Sequence, residues 1–302
     1  MKKVFFAANY GIALLMGTVV TLSSCSEEVT NSENEMAYAP VSVKVNEFSV
    51  SMEDFPSTRA AESPVGYDWV KAITLAFYDS NGTEAYKETQ VKSDGDNSTF
   101  GQFSFNIPVG SYTLVAIGYN YFDGDEFTLT SPTAAAFTSS YARETFSATQ
   151  SVTVTSAAPL SLSITLDRIN TWLVISSTDK CPTGAVSVRT TYGAASKSFS
   201  PSTGLATDAN GFSVENGLGQ SVGQKVMVGN YAFLSTDEQT MDITLQVLDE
   251  DDNVLISRVV SDVPFKRNRK TVLKGPLFTP SSASSASFTL ETEWLTQEVI
   301  EY

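Results

Sequence analysis

An all-β chain folded as antiparallel sandwiches, with little helix, is predicted by three observations on this 302-residue sequence. Apolar residues recur at every second position in short runs, as Val41, Val43 and Val45 do, and that is the period of a half-buried strand. Turn signals such as Ser80-Asn81-Gly82-Thr83 separate the runs, at the spacing of hairpins and not of strand–helix–strand units. No stretch sustains apolar residues at helical spacing. The length suggests two domains, each with room for a sizeable core.

The chain begins with Lys2 and Lys3, an apolar run from Val4 to Leu22, and then Ser23-Ser24-Cys25. That layout is a secretory signal over residues 1–24, closed at a cysteine that can carry lipid. The run is long enough to cross a bilayer, but no other stretch resembles a span, and the Ser-Ser-Cys ending favours lipoprotein processing. Ser26-Glu27-Glu28 resembles the short acidic signal that directs some Gram-negative lipoproteins to the outer surface, or else is an ordinary acidic linker. Residues 25–40, polar and poor in apolar side chains, read as a tether.

A first strand follows. Val41, Val43 and Val45 share a face, and after a phase shift at Asn46-Glu47 so do Phe48, Val50 and Met52, which predicts a strand with a bulge. Phe55 to Tyr67 is an exposed loop that carries Arg59, the kind of place where nicking occurs. Trp69–Tyr78 and Ala85–Val91 form a hairpin about Asn81-Gly82; Phe100–Ile107 and Tyr112–Tyr119 flank Pro108-Val109-Gly110-Ser111. Asn120 to Ala148 is either a long functional loop or two short edge strands with a turn of helix. Ser151–Thr155 and Leu160–Leu166 alternate again.

Arg168-Ile169-Asn170 reads as a boundary between a domain over 41–168 and another over 169–302. The second holds strands at Trp172–Ile175, Ala185–Tyr192, Lys225–Leu234, Met241–Leu248 and Val254–Val260, with a long hairpin or surface loop between Ala194 and Gln224. Residues 276–287 have the Pro, Ser and Ala content of a hinge. Beyond it, Phe288, Leu290, Trp294 and Ile300 lie on one face of an extended segment, 288–302. Periodicity alone leaves open whether that strand joins its own sheet or a neighbour's.

Composition narrows the function. A formal net charge of −15 disfavours nucleic acid and anionic membrane surfaces, which carry the same sign, so lipid and not charge would anchor the chain. The absence of histidine removes the usual triads and imidazole ligands. With Cys25 assigned to lipid, Cys181 has no disulfide partner and no histidine to activate it. Ser93–Asn97 and Asp249–Asn253 gather oxygen ligands without calcium-loop spacing and read as turns. Lys266, Arg267, Arg269, Lys270 and Lys274 form the basic cluster, suited to guarding an edge or pairing with the chain's own acids. Tyr119, Tyr121 and Phe122 are a sugar platform or core. No enzyme activity, cofactor or metal is expected.

The export cysteine, the first strand ending at Thr58-Arg59-Ala60, the run Pro108 to Ala116 and the run Asn268 to Gly275 together resemble the fimbrillin family, the lipoprotein-derived subunits also called type V pilins. The resemblance implies two tandem transthyretin-like β-sandwich domains. It also implies lipidation (palmitate) at Cys25, carriage to the outer-membrane surface, and cleavage between Arg59 and Ala60 by an arginine-directed surface protease. Cleavage would remove the strand of Val41, Val43, Val45, Phe48, Val50 and Met52, at a cost approaching roughly 10 kcal/mol. Donor-strand exchange would then build a fimbrium from other copies of the chain or related fimbrial subunits, supporting adhesion; 288–302 is the candidate donor. An anchor or tip subunit, or a surface glycan-binding lipoprotein, are the alternatives.

Overall fold

The computed structural model describes residues 37–49, 61–93, 95–122, 124, 126–280 and 288–292. Cys25, Val50, Met52, Arg59, Ala60, Trp294 and Ile300 lie outside these residues. Every element among the described residues is a strand. In the first half they are β1 (Tyr38–Ser49), β2 (Ala61–Glu62), β3 (Ala72–Asp79), β4 (Glu84–Val91), β5 (Gln102–Pro108), β6 (Gly110–Tyr119), β7 (Phe127–Ser131), β8 (Ala134–Phe137), β9 (Thr145–Val154) and β10 (Leu160–Arg168). The second half has β11 (Thr171–Ser177), β12 (Ser187–Tyr192), β13 (Ser198–Phe199), β14 (Phe212–Gly217), β15 (Met227–Ala232), β16 (Glu238–Leu248), β17 (Val254–Lys266), β18 (Lys270–Gly275) and β19 (Thr289–Thr292).

Eight of the ten strands of the first half, all but β7 and β8, form one sheet folded over on itself. β4, β3, β6 and β9 make one layer; β10 and β1, flanked by β5 and β2, make the other. The layers meet at a corner where β9 and β10 pair at only two positions, Ser147↔Asp167 and Phe146↔Arg168. Between them sits a core in which Val41, Val43, Val45 and Phe48 face Ile73, Leu75, Phe77, Leu114 and Ala116. Such packing of two inner faces is what defines a β-sandwich.

β1 runs parallel to β10 and antiparallel to β5 and β2, so it is flanked on both sides. Its register against β10 slips between Val45 and Glu47, at the phase shift in the sequence. One extra residue there returns Phe48 to the inner face that Val41, Val43 and Val45 occupy.

The second half is a sandwich of two four-stranded sheets, β15-β11-β18-β19 and β14-β12-β16-β17. Its core joins Leu173, Ile175 and Leu273 to Val188, Tyr192, Ile243 and Leu245. A third core lies where the halves meet. There Ala72, Tyr78, Val115, Ile117 and Tyr119, on the outer faces of β3 and β6, are covered by Leu129, Ala135 and Phe137 and by Phe199 and Phe233. β3 is therefore buried on both faces, which explains its unbroken apolar run. A three-stranded sheet, β13-β8-β7, bridges the halves through Ser198↔Ala136 and Phe199↔Ala135.

Several sequence expectations shift. The strand expected from Trp69 begins at Ala72, and Trp69 is exposed. Asn120–Ala148 holds two strands, β7 and β8, and the start of β9, with no turn of helix among the described residues. The excursion from Ala194 to Gln224 contributes β14 as a full member of a sheet. Both turns are as expected: Asp79 Oδ1 accepts from the Asn81 and Thr83 amides, and Asp249 Oδ1 from the Asp251 and Asn253 amides.

Candidate functional site

The site with the most structural consequence is the groove that β1 fills. Val41, Val43 and Val45 are each 1% exposed and Phe48 is fully buried. The three valines stand over the inner face at alternate positions, and the bulge sets Phe48 apart from them. Its ring enters a seat in which glycine is a steric requirement: a Cβ at Gly118 of β6 would lie 2.6 Å from Phe48 Cε1. Phe146 and Tyr67 complete the seat, with ring centroids 5.2 and 6.0 Å from that of Phe48.

Tyr67 connects this seat to a buried ion pair. Its hydroxyl donates to Glu144 Oε1 at 3.0 Å, and Arg168 donates to the same oxygen through Nε at 3.0 Å and Nη2 at 2.7 Å. Both charged side chains are nearly sealed from solvent, at 3% and 4% exposure. Arg168 Cζ also stands 4.8 Å over the Phe146 ring, and Nη1 donates to Asn268 Oδ1 in the turn between β17 and β18. A line of contacts thus runs from β1 to the second half through Phe48, Tyr67, Glu144, Arg168 and Asn268. Burial raises the Tyr67 hydroxyl well above the usual tyrosine range, and the Glu144 carboxylate raises it further.

Beside this line opens a polar cleft of about 530 Å³, lined by Ser49, Thr149, Asp167, Thr203, Arg267 and Asn268 among others. No aromatic residue lines it. Tyr119 is core, its ring tilted against that of Phe127 with centroids 4.4 Å apart, while Phe122 is exposed beneath the Arg143 guanidinium.

The covalent route out of β1 is short. Ser49 pairs with Ala61 and Phe48 with Glu62, so the described residues on either side of 50–60 are neighbours across β1 and β2. At the other end of the chain, β19 pairs antiparallel with β18 in its own half, with Leu290 opposite Leu273. Phe288 is buried and lies over Gly275, where a Cβ would meet its Cδ1 at 2.7 Å. The segment leading there is held by Asp179 Oδ2, which accepts from the Phe278 amide at 2.8 Å and the Thr279 hydroxyl at 2.9 Å.

The remaining candidates have ordinary surroundings. Cys181 is buried and its thiol is pushed up by that burial, the opposite of an activated nucleophile. In the basic cluster, Lys266 pairs with Glu238 and Arg267 with Asp237. Among the described residues no group of acids and cysteines is arranged to hold a metal ion.

Residues 39–298 match a family described as a family of unknown function, DUF6562. The chain belongs to that family. Comparison with curated proteins gives no match. Among solved structures, a Bacteroides thetaiotaomicron protein described as a candidate polysaccharide-binding protein (DUF1812) aligns with a TM-score of 0.52 at 11% identity, over 84% of this chain and 95% of its own. The fimbrial anchor protein Mfa2 from Porphyromonas gingivalis aligns at 0.49 and 13% identity, over 88% and 100%. The tip fimbrial protein Mfa3 of the same organism, with a C-terminal truncation, aligns at 0.41 and 11%, over 85% and 99%. At 11% identity the likeness of this DUF6562 chain to the Bacteroides thetaiotaomicron protein is one of fold.

Proposed function

We propose that this DUF6562 chain is a structural subunit of a cell-surface fimbrium, exported as a lipoprotein on Cys25 and activated when an arginine-directed protease cuts after Arg59. The observation that carries the reading is the placement of β1: flanked on both sides, buried along one face, and joined to the sandwich only through residues 50–60. One cut there leaves β1 held by noncovalent contacts alone. Its four large inward side chains contribute about 6–12 kcal/mol as an upper estimate, comparable to the whole stability of a typical domain. A groove emptied of them demands another strand, and β-augmentation by a neighbouring subunit supplies both the apolar face and the ladder hydrogen bonds. Repeated head to tail, such contacts do not close and give a filament. The role is assembly and adhesion, without catalysis.

The deciding measurement is the intact mass and N-terminal sequence of protein sheared from the cell surface. A start at Ala60 in high-mass polymers supports the reading. A lipidated Cys25 on a monomer overturns it for a shaft subunit and leaves an anchor subunit. The polar cleft favours a second reading, a glycan-binding surface lipoprotein, because Asp167, Asn268 and Arg267 beside hydroxyls are groups that bind sugar hydroxyls. Saccharide binding lost on Asp167→Ala, with β1 uncut, would favour it.

A further inference from the structure

The groove under β1 is not uniform along its length. Val41, Val43 and Val45 fill their seats with β-branched side chains buried in one core. The last seat differs in kind: Gly118 withdraws its side chain so that a ring can lie against the β6 backbone, with Leu166, Phe146 and Tyr67 around it. The Phe48 ring is also the only member of β1 in ring contact with Tyr67, whose hydroxyl joins the Glu144–Arg168 pair.

We propose that the groove selects its occupant by that one ring. The strand it accepts is extended, runs parallel to β10 and antiparallel to β5, carries β-branched apolar residues at alternate positions, and places an aromatic three residues beyond the last of them, over Gly118. This deepens the fimbrial reading and rests on it insofar as the occupant is exchanged.

The pattern Val-x-Val-x-Val-x-x-Phe also bears on which partner fits. If Trp294 of another copy took the ring seat in this orientation, Ser287, Thr289 and Glu291 would fall on the valine seats. If Phe288 took it, they would receive Ser281, Ala283 and Ser285. Neither register refills the core that the valines fill, and the first buries a carboxylate. The groove therefore fits the strand of a related subunit carrying the β1 pattern better than the tail of a second copy. Ring occupancy has a further effect: with Phe48 in place, Tyr67 is packed on two rings and screens the ion pair that reaches Asn268 in the second half.

The test uses the full chain with a specific protease sequence inserted within residues 50–60, nicked after folding so that β1 remains in place. Labelled peptides of residues 37–49 are offered as replacements, in wild-type, Phe48→Ala and Val43→Ala forms, with a peptide of residues 281–302 beside them. Phe48→Ala is expected to weaken incorporation by roughly 100-fold or more and Val43→Ala by roughly tenfold, with 281–302 weaker than the wild-type peptide. Equal losses for the two variants, or stronger binding by 281–302, overturn the proposal. If no peptide enters, exchange itself fails, and the ring seat is then judged in the intact chain. There Phe48→Leu must speed amide exchange at residues 143–145 and 267–269 by more than Val43→Ala does, and an equal or smaller effect overturns it.

Discussion

Glu144→Leu is the substitution whose consequence follows most directly from the geometry. Glu144 Oε1 accepts three hydrogen bonds, two from Arg168 and one from Tyr67, in surroundings where both charged side chains are almost wholly buried. Removing the carboxylate leaves the guanidinium charged beside neutral acceptors, Asn268 Oδ1 and, at 3.4 Å, the Tyr67 hydroxyl. Breaking one side of a buried pair costs about 3–5 kcal/mol, most of it from the uncompensated charge. Removing both sides is different in kind, because no charge stays behind. Glu144→Leu with Arg168→Met should therefore recover most of the loss, leaving about 1–3 kcal/mol from the orphaned Tyr67 hydroxyl. Urea unfolding, followed by tryptophan fluorescence and by far-ultraviolet circular dichroism, gives the four corners of the double-mutant cycle. A coupling energy of at least about 3 kcal/mol is expected. Additive single losses, or a Glu144→Leu cost below about 1 kcal/mol, would refute the claim that the pair is sealed and mutually dependent.

Gly118→Ala should destabilise the chain by about 1–3 kcal/mol through the Phe48 clash, and Phe48→Leu in that background should recover part of it in urea unfolding, since the shorter side chain vacates the space. Tyr67 and Tyr231 have hydroxyls raised by burial, and burial pushes Tyr78 up to about 12. The unfolded chain then loses phenolic protons first, so stability present below about pH 10 falls as pH rises beyond it; Tyr67→Phe should flatten that fall in denaturant titrations. Asp179→Ala should speed amide exchange at Phe278 and cost about 1–3 kcal/mol, because it releases two bonds to one carboxylate oxygen.

What could be read from the sequence was what local patterns determine. The change of phase after Val45 located the β1 bulge because side-chain alternation is a property of consecutive residues. β14 escaped notice because Phe212-Ser213-Val214-Glu215-Asn216-Gly217 sits in a Gly- and Asn-rich stretch and is stabilised by pairing with β12. Likewise β8 is held in part by β13, more than sixty positions later in the chain, a partner no local window contains. Glu144 and Arg168 had no sequence signal at all, since a chain with 34 acidic residues offers many equivalent pairings. Gly118 did leave one: a glycine within an apolar strand marks a close approach of another group. Its occupant, Phe48, lies seventy residues away and only the fold identifies it.

The two ends of the described sandwich solve one problem in the same way. A strand with equivalent seats every two residues is poorly protected against a slip of two, because each valine would find another valine's place. In β1 the bulge and the Phe48 ring over Gly118 break that equivalence, since the ring stands where a Cβ on Gly118 would lie 2.6 Å from it. β19 pairs at only four positions, too few for its ladder to define register strongly, and there Phe288 over Gly275 supplies the fixed point. Concentrating the steric information in one ring also means that the rest of each strand can vary in sequence without losing its place. For a groove that must release one strand and take another, register is then decided by a single side chain, and replacing that side chain should alter recognition more than replacing any one valine.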